Sequence, residues 1–181
     1  ACLSSVIGGL VGAAFLLLLA PPMATVALKF GPVEYFWLAV FGLTKAASNY
    51  LAGRLGDRYG RKHILVAGWL AAVPVPFMLM WAPDWNGVLA ANALLGMSQG
   101  LTWSMTIIMK IDLVGPKRRG LAMGLNEFAG YVAVAASALL TGWIAARYGL
   151  RPEPFYLGAG FVAVGLALSV LLVRETSHHA D

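Results

Sequence analysis

Gly53-Arg54-Leu55-Gly56-Asp57-Arg58-Tyr59-Gly60-Arg61-Lys62 decides how this sequence is read. The stretch is basic and rich in glycine, and it separates two long apolar runs, about residues 33–53 and 63–82. Gly53 and Gly60 permit tight turns and close backbone approach. Asp57 can pair with Arg58 or Arg61, or accept hydrogen bonds at a helix N-terminus. A charge cluster at a helix end can hold one conformation and release it in another, which suits a gating hinge. Plain topology would explain the arginines alone. It would leave an acid and two glycines at this spacing without a reason.

Outward from that turn the chain is apolar runs and short loops. Each run of about 20 residues is long enough to cross about 30 Å of hydrocarbon. Six qualify, at about 2–20, 33–53, 63–82, 86–109, 120–146 and 154–173. Of the 181 residues, 60% are apolar or aromatic and 12% are charged. A soluble domain carries roughly 25% charged residues, so a water-facing surface cannot be built here. A soluble enzyme, a disordered chain and a nucleic-acid-binding protein are thereby excluded. The single cysteine, Cys2, excludes an internal disulfide framework and a cysteine-based metal site. The tail pair His178-His179 reads as solvated, so no metal and no cofactor are expected. The predicted class is all-α, a polytopic membrane protein of six transmembrane helices forming one domain over 1–181. The lipid bilayer is its first partner.

The loops set the orientation. Arg54, Arg58, Arg61, Lys62, Lys110, Lys117, Arg118, Arg119 and Arg174 fall on one side, against Lys29, Arg147 and Arg151 on the other. Nine against three predicts both basic loops and both termini in the cytoplasm, in a bacterial inner membrane. The opening lacks Met and a basic leader, so the expectation is a fragment or a trimmed chain, not a signal peptide.

An internal repeat supports a transporter. Gly142-Trp143-Ile144-Ala145-Ala146-Arg147-Tyr148-Gly149 echoes Gly53–Gly60 at an offset of 89 residues. Three spans separate the copies, which inverts one triplet relative to the other. Such 3+3 inverted repeats mark transporters. The alternative is a chance match of glycine and arginine at two helix ends.

The turn at 53–62 resembles the signature loop of the major facilitator superfamily, Gly-x-x-x-Asp-Arg-x-Gly-Arg-Arg/Lys, at every defined position. The resemblance covers about residues 40–181, the amino-terminal six-helix half of such a transporter. Asp112–Gly124 looks like the family's link between its fourth and fifth helices, and Arg174-Glu175-Thr176 like its ending after the sixth. The resemblance implies alternating access, a small solute with a coupling proton or other ion, and a missing carboxy-terminal half or second copy. Drug antiporters of the family carry Arg in helix four, four residues before a glycine; here that place, before Gly100, is Gly96. They also carry Gly-Pro-x-x-Gly-Gly in helix five, and here that stretch has no proline. Proton-driven drug export is therefore not implied. Residues about 3–44, with Leu19–Ala24, Ala27–Phe36 and Gly42-Leu43, resemble instead the large membrane subunit of tripartite tricarboxylate transporters. A chimera joined near residue 44, non-functional or working in tricarboxylate uptake, and a divergent first helix both stand.

Polar groups inside the spans are costly and are candidates for function. Lys45 and Glu127 each lie eight residues from the basic side, about 12 Å deep. Three readings stand: a substrate or coupling role, a structural pair, or snorkelling of the lysine. Asn92, Gln99, Thr102 and Thr106 share one helical face and line either a cavity or a helix contact. Asn126, with Ser137 and Thr141, shares another. The sequence-level candidates are therefore Gly53, Asp57, Arg58, Gly60, Arg61 and Lys62 for gating, and Lys45, Asn92, Gln99, Thr102, Thr106, Asn126 and Glu127 for substrate or coupling. Pro74 and Pro76 should bend the third span. Gly96-x-x-x-Gly100 and Gly120-x-x-x-Gly124 should permit close helix packing. No Gly-x-Ser-x-Gly and no His-Glu-x-x-His suggests an enzyme, and no histidine lies within a span beyond His63 at the edge of the third.

Overall fold

The computed structural model describes residues 17, 18, 21, 25, 28 and 31–177. The first predicted span, apart from Leu17 and Leu18, lies outside the described residues, and Cys2 with it, as do Lys29 and His178-His179. Residues 1–38 form one compact unit and residues 39–181 another. Every sequence-level candidate residue belongs to the second unit.

Six α-helices occur among the described residues, with no strand. They are α1 (Pro32–Tyr59), α2 (Arg61–Ala72), α3 (Pro74–Trp81), α4 (Trp85–Val114), α5 (Arg119–Tyr148) and α6 (Glu153–Leu171), with a 3₁₀ turn at Pro116–Arg118. Their ends follow local chemistry. Pro32 opens α1 in the first-turn position that tolerates a missing N–H. Asp84 caps α4, its carboxylate accepting the Gly87 N–H at 2.9 Å. Gly115 closes α4 at φ 66°, a conformation that side chains disfavour. The two prolines of the third run interrupt the helical ladder at Val73, so Arg61–Trp81 is two helices, α2 and α3.

Among the described residues three stretches are long and apolar enough to cross a membrane: Arg61–Trp81, Arg119–Tyr148 and Glu153–Leu171. The helices α1 and α4 have 28 and 30 residues, about 42 and 45 Å at 1.5 Å per residue, so length is not what sets them apart. They carry the polar and charged groups, Lys45, Asn49, Asn92 and Gln99 among them. Large apolar side chains face outward. Leu139 is 78% exposed and Leu171 77%, and α5 buries no residue at all. An apolar surface on that scale belongs in lipid.

The core lies between α1, α2 and α4. Ala52, Ile64, Leu65, Met105 and Met109 form it, with Leu55, Trp69, Leu101, Ile108 and Val173 packed around them. Glycines set the spacing. A Cβ on Gly56 would meet Met105 Sδ at 2.9 Å, and one on Gly68 would meet Thr102 Cγ2 at 2.7 Å. The expected Gly96-x-x-x-Gly100 contact forms between α4 and α1. Gly100 lies where a Cβ would stand 2.5 Å from Ser48 Cβ and 2.7 Å from the Lys45 carbonyl oxygen. At Gly120 and Gly124 no neighbour among the described residues stands within 4 Å of a Cβ.

Candidate functional site

The basic turn closes around buried charge. α1 ends at Tyr59, Gly60 turns the chain at φ 90°, and α2 starts at Arg61. A helix start leaves four N–H groups without partners in the helix. Here Glu175, just past α6, supplies the missing acceptors. Its Oε1 accepts from the Arg61 N–H at 3.0 Å and its Oε2 from the Lys62 N–H at 3.0 Å. The same carboxylate takes the N–H groups of Thr176 and Ser177, both at 3.0 Å. Burial alone would raise its pKa. The four backbone donors outweigh that and hold it at about 2, below the ordinary 4.5. Gly60 is required twice over, by its positive φ and because a Cβ there would lie 2.8 Å from Glu175 Oε2.

Arg61 then turns inward. It is 7% exposed, and its guanidinium forms an ion pair with Asp112 near the end of α4. Asp112 in turn accepts from the Thr176 hydroxyl at 3.0 Å. Lys62 Nζ donates to the Val170 carbonyl at 2.9 Å. Together these bonds tie α2, α4 and the segment after α6 into one lock. An apolar cavity of about 640 Å³ backs it, walled by Trp69, Met109, Leu168 and Leu172 and by Glu175 and Thr176.

The motif thus divides. Gly60, Arg61 and Lys62 are inside the lock. Asp57 is at its rim: its side chain is 73% exposed and forms a 3.7 Å ion pair with Arg61. Arg58 is exposed too, its guanidinium 5.2 Å from the Tyr59 ring centre. Among the described residues nothing stands within 4 Å of a Cβ on Gly53, and the close approach is made at Gly56. Asp112, Glu175 and Thr176 complete the lock but were not among the sequence-level candidates. The available signal was their side: three acids, Asp57, Asp112 and Glu175, placed among nine cations.

Deeper in the bundle, Lys45 and Glu127 take different partners. Lys45 Nζ donates to Gln99 Oε1 at 3.2 Å and lies 5.6 Å from the Trp103 ring centre and 5.7 Å from that of Phe41. Glu127 accepts from Asn126 Nδ2 at 3.3 Å, and Asn126 Oδ1 accepts from Lys110. Of the expected α4 stripe, only Gln99 reaches another helix through a hydrogen bond among the described residues. Asn92, Thr102 and Thr106 each donate back to a carbonyl of their own helix, at 3.0, 2.8 and 2.7 Å. Thr141 does the same to Ser137. Among the described residues no group of three or more His, Cys, Asp or Glu is placed to hold a metal.

A helical bundle with lipid-suited outer faces and a charge cluster at one end fits the class of integral membrane proteins. Residues 1–181 match the Major Facilitator Superfamily, and the chain belongs to it. The matched range includes residues 3–44, and a tricarboxylate transporter resemblance there is not shown. Multidrug resistance protein MdtG of Serratia proteamaculans is 31% identical over 139 residues, 75% of this chain and 33% of the relative. The major facilitator superfamily multidrug transporter mfsC of Aspergillus fumigatus is 29% identical over 166 residues, 91% of this chain and 32% of that protein. A probable 4-methylmuconolactone transporter of Cupriavidus pinatubonensis is 28% identical over 135 residues, 72% and 30%. The chain spans about a third of the length of these curated relatives.

Proposed function

We propose that the chain is the amino-terminal six-helix half of a secondary transporter of small solutes, built as a 3+3 inverted repeat and working by alternating access. Both termini lie in the cytoplasm, and the turn at 53–62 is the cytoplasmic latch. A carboxy-terminal half, or a second copy, completes the machine and moves against it. A solute and a coupling ion are its cargo.

One observation carries this reading. The lock buries Arg61 and satisfies Glu175, yet leaves Asp57 at its rim, 73% exposed. An acid held at the rim by a rigid charge cluster is suited to a partner that comes and goes. The static half of the motif keeps the acid in place, and the exposed half engages the moving body.

Drug export does not carry over from the multidrug relatives. At Gly96, where drug antiporters bear Arg, a Cβ would run into Thr44 Oγ1 and come within 2.6 Å of the Phe41 carbonyl. An arginine has no room there.

The test is transport in liposomes by a complete protein that contains this chain. Asp57→Asn should abolish uptake with membrane insertion intact; full uptake by that variant would overturn the latch. The isolated 181-residue chain should insert and transport poorly, and robust uptake by it would refute the half-transporter reading. Cysteines placed at Tyr59 and Lys117 should label only from inside the cell; labelling from outside would reverse the topology.

A further inference from the structure

Lys45 is a cation inside the bundle with no acid beside it among the described residues. Both ion pairs among those residues belong to Arg61. Glu127, at a similar depth, is bonded to Asn126. What surrounds Lys45 is an amide oxygen and two ring faces: Gln99 Oε1, Trp103 and Phe41. Each offers partial negative charge, and none cancels the ammonium. They make a charged lysine tolerable at that depth and leave its positive field in place. A lysine buried only for structure would be expected to carry a carboxylate.

The surroundings are fixed by backbone packing. Gly96 and Gly100 press α4 onto the turn of α1 that holds Phe41, Thr44, Lys45 and Ser48. Trp103 is pinned from its far side, where a Cβ on Gly130 would stand 2.6 Å from its Cη2. Phe41 and Lys45 lie four apart on α1, Gln99 and Trp103 four apart on α4, so the four side chains meet as two rungs across one contact. Lys45, Gln99, Trp103 and Phe41 are each part-exposed, and Asn49 beside them is exposed. The cluster is therefore open to a ligand.

We propose that Lys45, Gln99, Trp103 and Phe41 form a subsite for a small organic carboxylate with a flat apolar body. The carboxylate pairs with Lys45 Nζ, and Gln99 Nε2 donates to its second oxygen. The body lies against the ring faces. The ligand supplies the counter-charge that the bundle lacks. To call that ligand a substrate rests on the transporter reading above.

The experiment titrates the 181-residue chain, in nanodiscs of uncharged phosphatidylcholine at pH 7.5, with benzoate. Benzamide and benzylamine serve as neutral and cationic controls with the same ring. Benzoate should bind saturably, about tenfold or more tighter than either control. Lys45→Met should erase the preference, Lys45→Arg should keep it, and Gln99→Leu should weaken benzoate alone. The preference is a ratio within one preparation, so a loss of folded protein does not imitate its loss. Equal affinity for the three ligands in the unaltered chain, or a preference that survives Lys45→Met, overturns the subsite. Transport separates the two readings. Uptake of neutral or cationic solutes that Lys45→Met leaves intact, with no benzoate preference, sinks the subsite and keeps the transporter. A benzoate preference without uptake of any solute by a protein containing this chain sinks the transporter and keeps the subsite.

Discussion

Replacing Glu175 with Gln should loosen the start of α2, and the size of the effect follows from the geometry. The Glu175 carboxylate accepts four backbone N–H groups, two of them the first donors of α2. A negative group at a helix start is worth ~0.3–1 kcal/mol, and up to ~2 in a partly buried setting. The depressed pKa gives an independent figure. Held at about 2 against 4.5, the group could contribute at most ~3 kcal/mol at neutral pH. It sits at a part-exposed position, where solvent screening brings this to ~1–2 kcal/mol. The sign is that of a carboxylate with a lowered folded-state pKa. Its stabilisation is complete above about 4.5 and disappears as pH falls through about 2. The assay is hydrogen exchange of the Arg61 and Lys62 amides in detergent micelles, corrected for intrinsic rates, beside thermal unfolding. At pH 7 the Gln variant should lose about 5- to 30-fold of protection at both amides. The gap between variant and unaltered protein should close as pH approaches 2. Unchanged protection at pH 7, or a gap that persists at pH 2, would show that the carboxylate does not hold this helix start.

Three further outcomes rest on the packing. Arg61→Met or Asp112→Leu alone strands a buried charge and should cost ~3–5 kcal/mol, whereas the double variant should recover most of that loss in a double-mutant unfolding cycle. Gly100→Ala puts a methyl 2.5 Å from Ser48 Cβ and should destabilise by ~1–3 kcal/mol; Gly124→Ala, with no neighbour within 4 Å among the described residues, should be neutral or gain up to ~1 kcal/mol from helix propensity, and unfolding of the pair side by side checks the contrast. Gly60→Ala combines a forbidden φ with a contact 2.8 Å from Glu175 Oε2, and should show the same loss of α2 amide protection as Glu175→Gln.

Much of the helical order was legible because its cues are local. Apolar runs longer than a bilayer are separated by Gly60, Gly115 and Gly149, each with positive φ, and each of those glycines follows the last residue of a helix. The interruption at Val73 followed from two prolines two residues apart. The lock was only half legible. Arg61 stood in a recognisable motif, but its partners lie 51 and 114 residues away, and nothing local to Asp112 or Glu175 names Arg61. Lys45 and Glu127 show what depth leaves undetermined. Counting residues from the basic side gives height along the bundle and says nothing of direction around it. That direction is set by Gly96 and Gly100, which seat α4 on α1 and turn Lys45 toward Gln99 and Trp103.

The same contacts say which parts of the motif can move. α1 and α4 meet backbone to backbone at Gly96 and Gly100, and α2 meets α4 at Gly68, 2.7 Å from Thr102 for an added Cβ. α6 meets α2 where a Cβ on Gly165 would run into the Trp69 ring. Interfaces this tight cannot slide by fractions of an ångström without collision, so rearrangement within them would have to be all-or-none. The lock at Arg61, Asp112 and Glu175 lies across helices that packing already fastens together. It is a clamp, and its charges are spent on holding Gly60 and the start of α2 in one geometry. Asp57 and Arg58 stand exposed one turn before the clamp at the end of α1, with Asp57 still within 3.7 Å of Arg61. On the reading proposed above, such a latch would move by meeting or leaving another body, while its own base stays fixed.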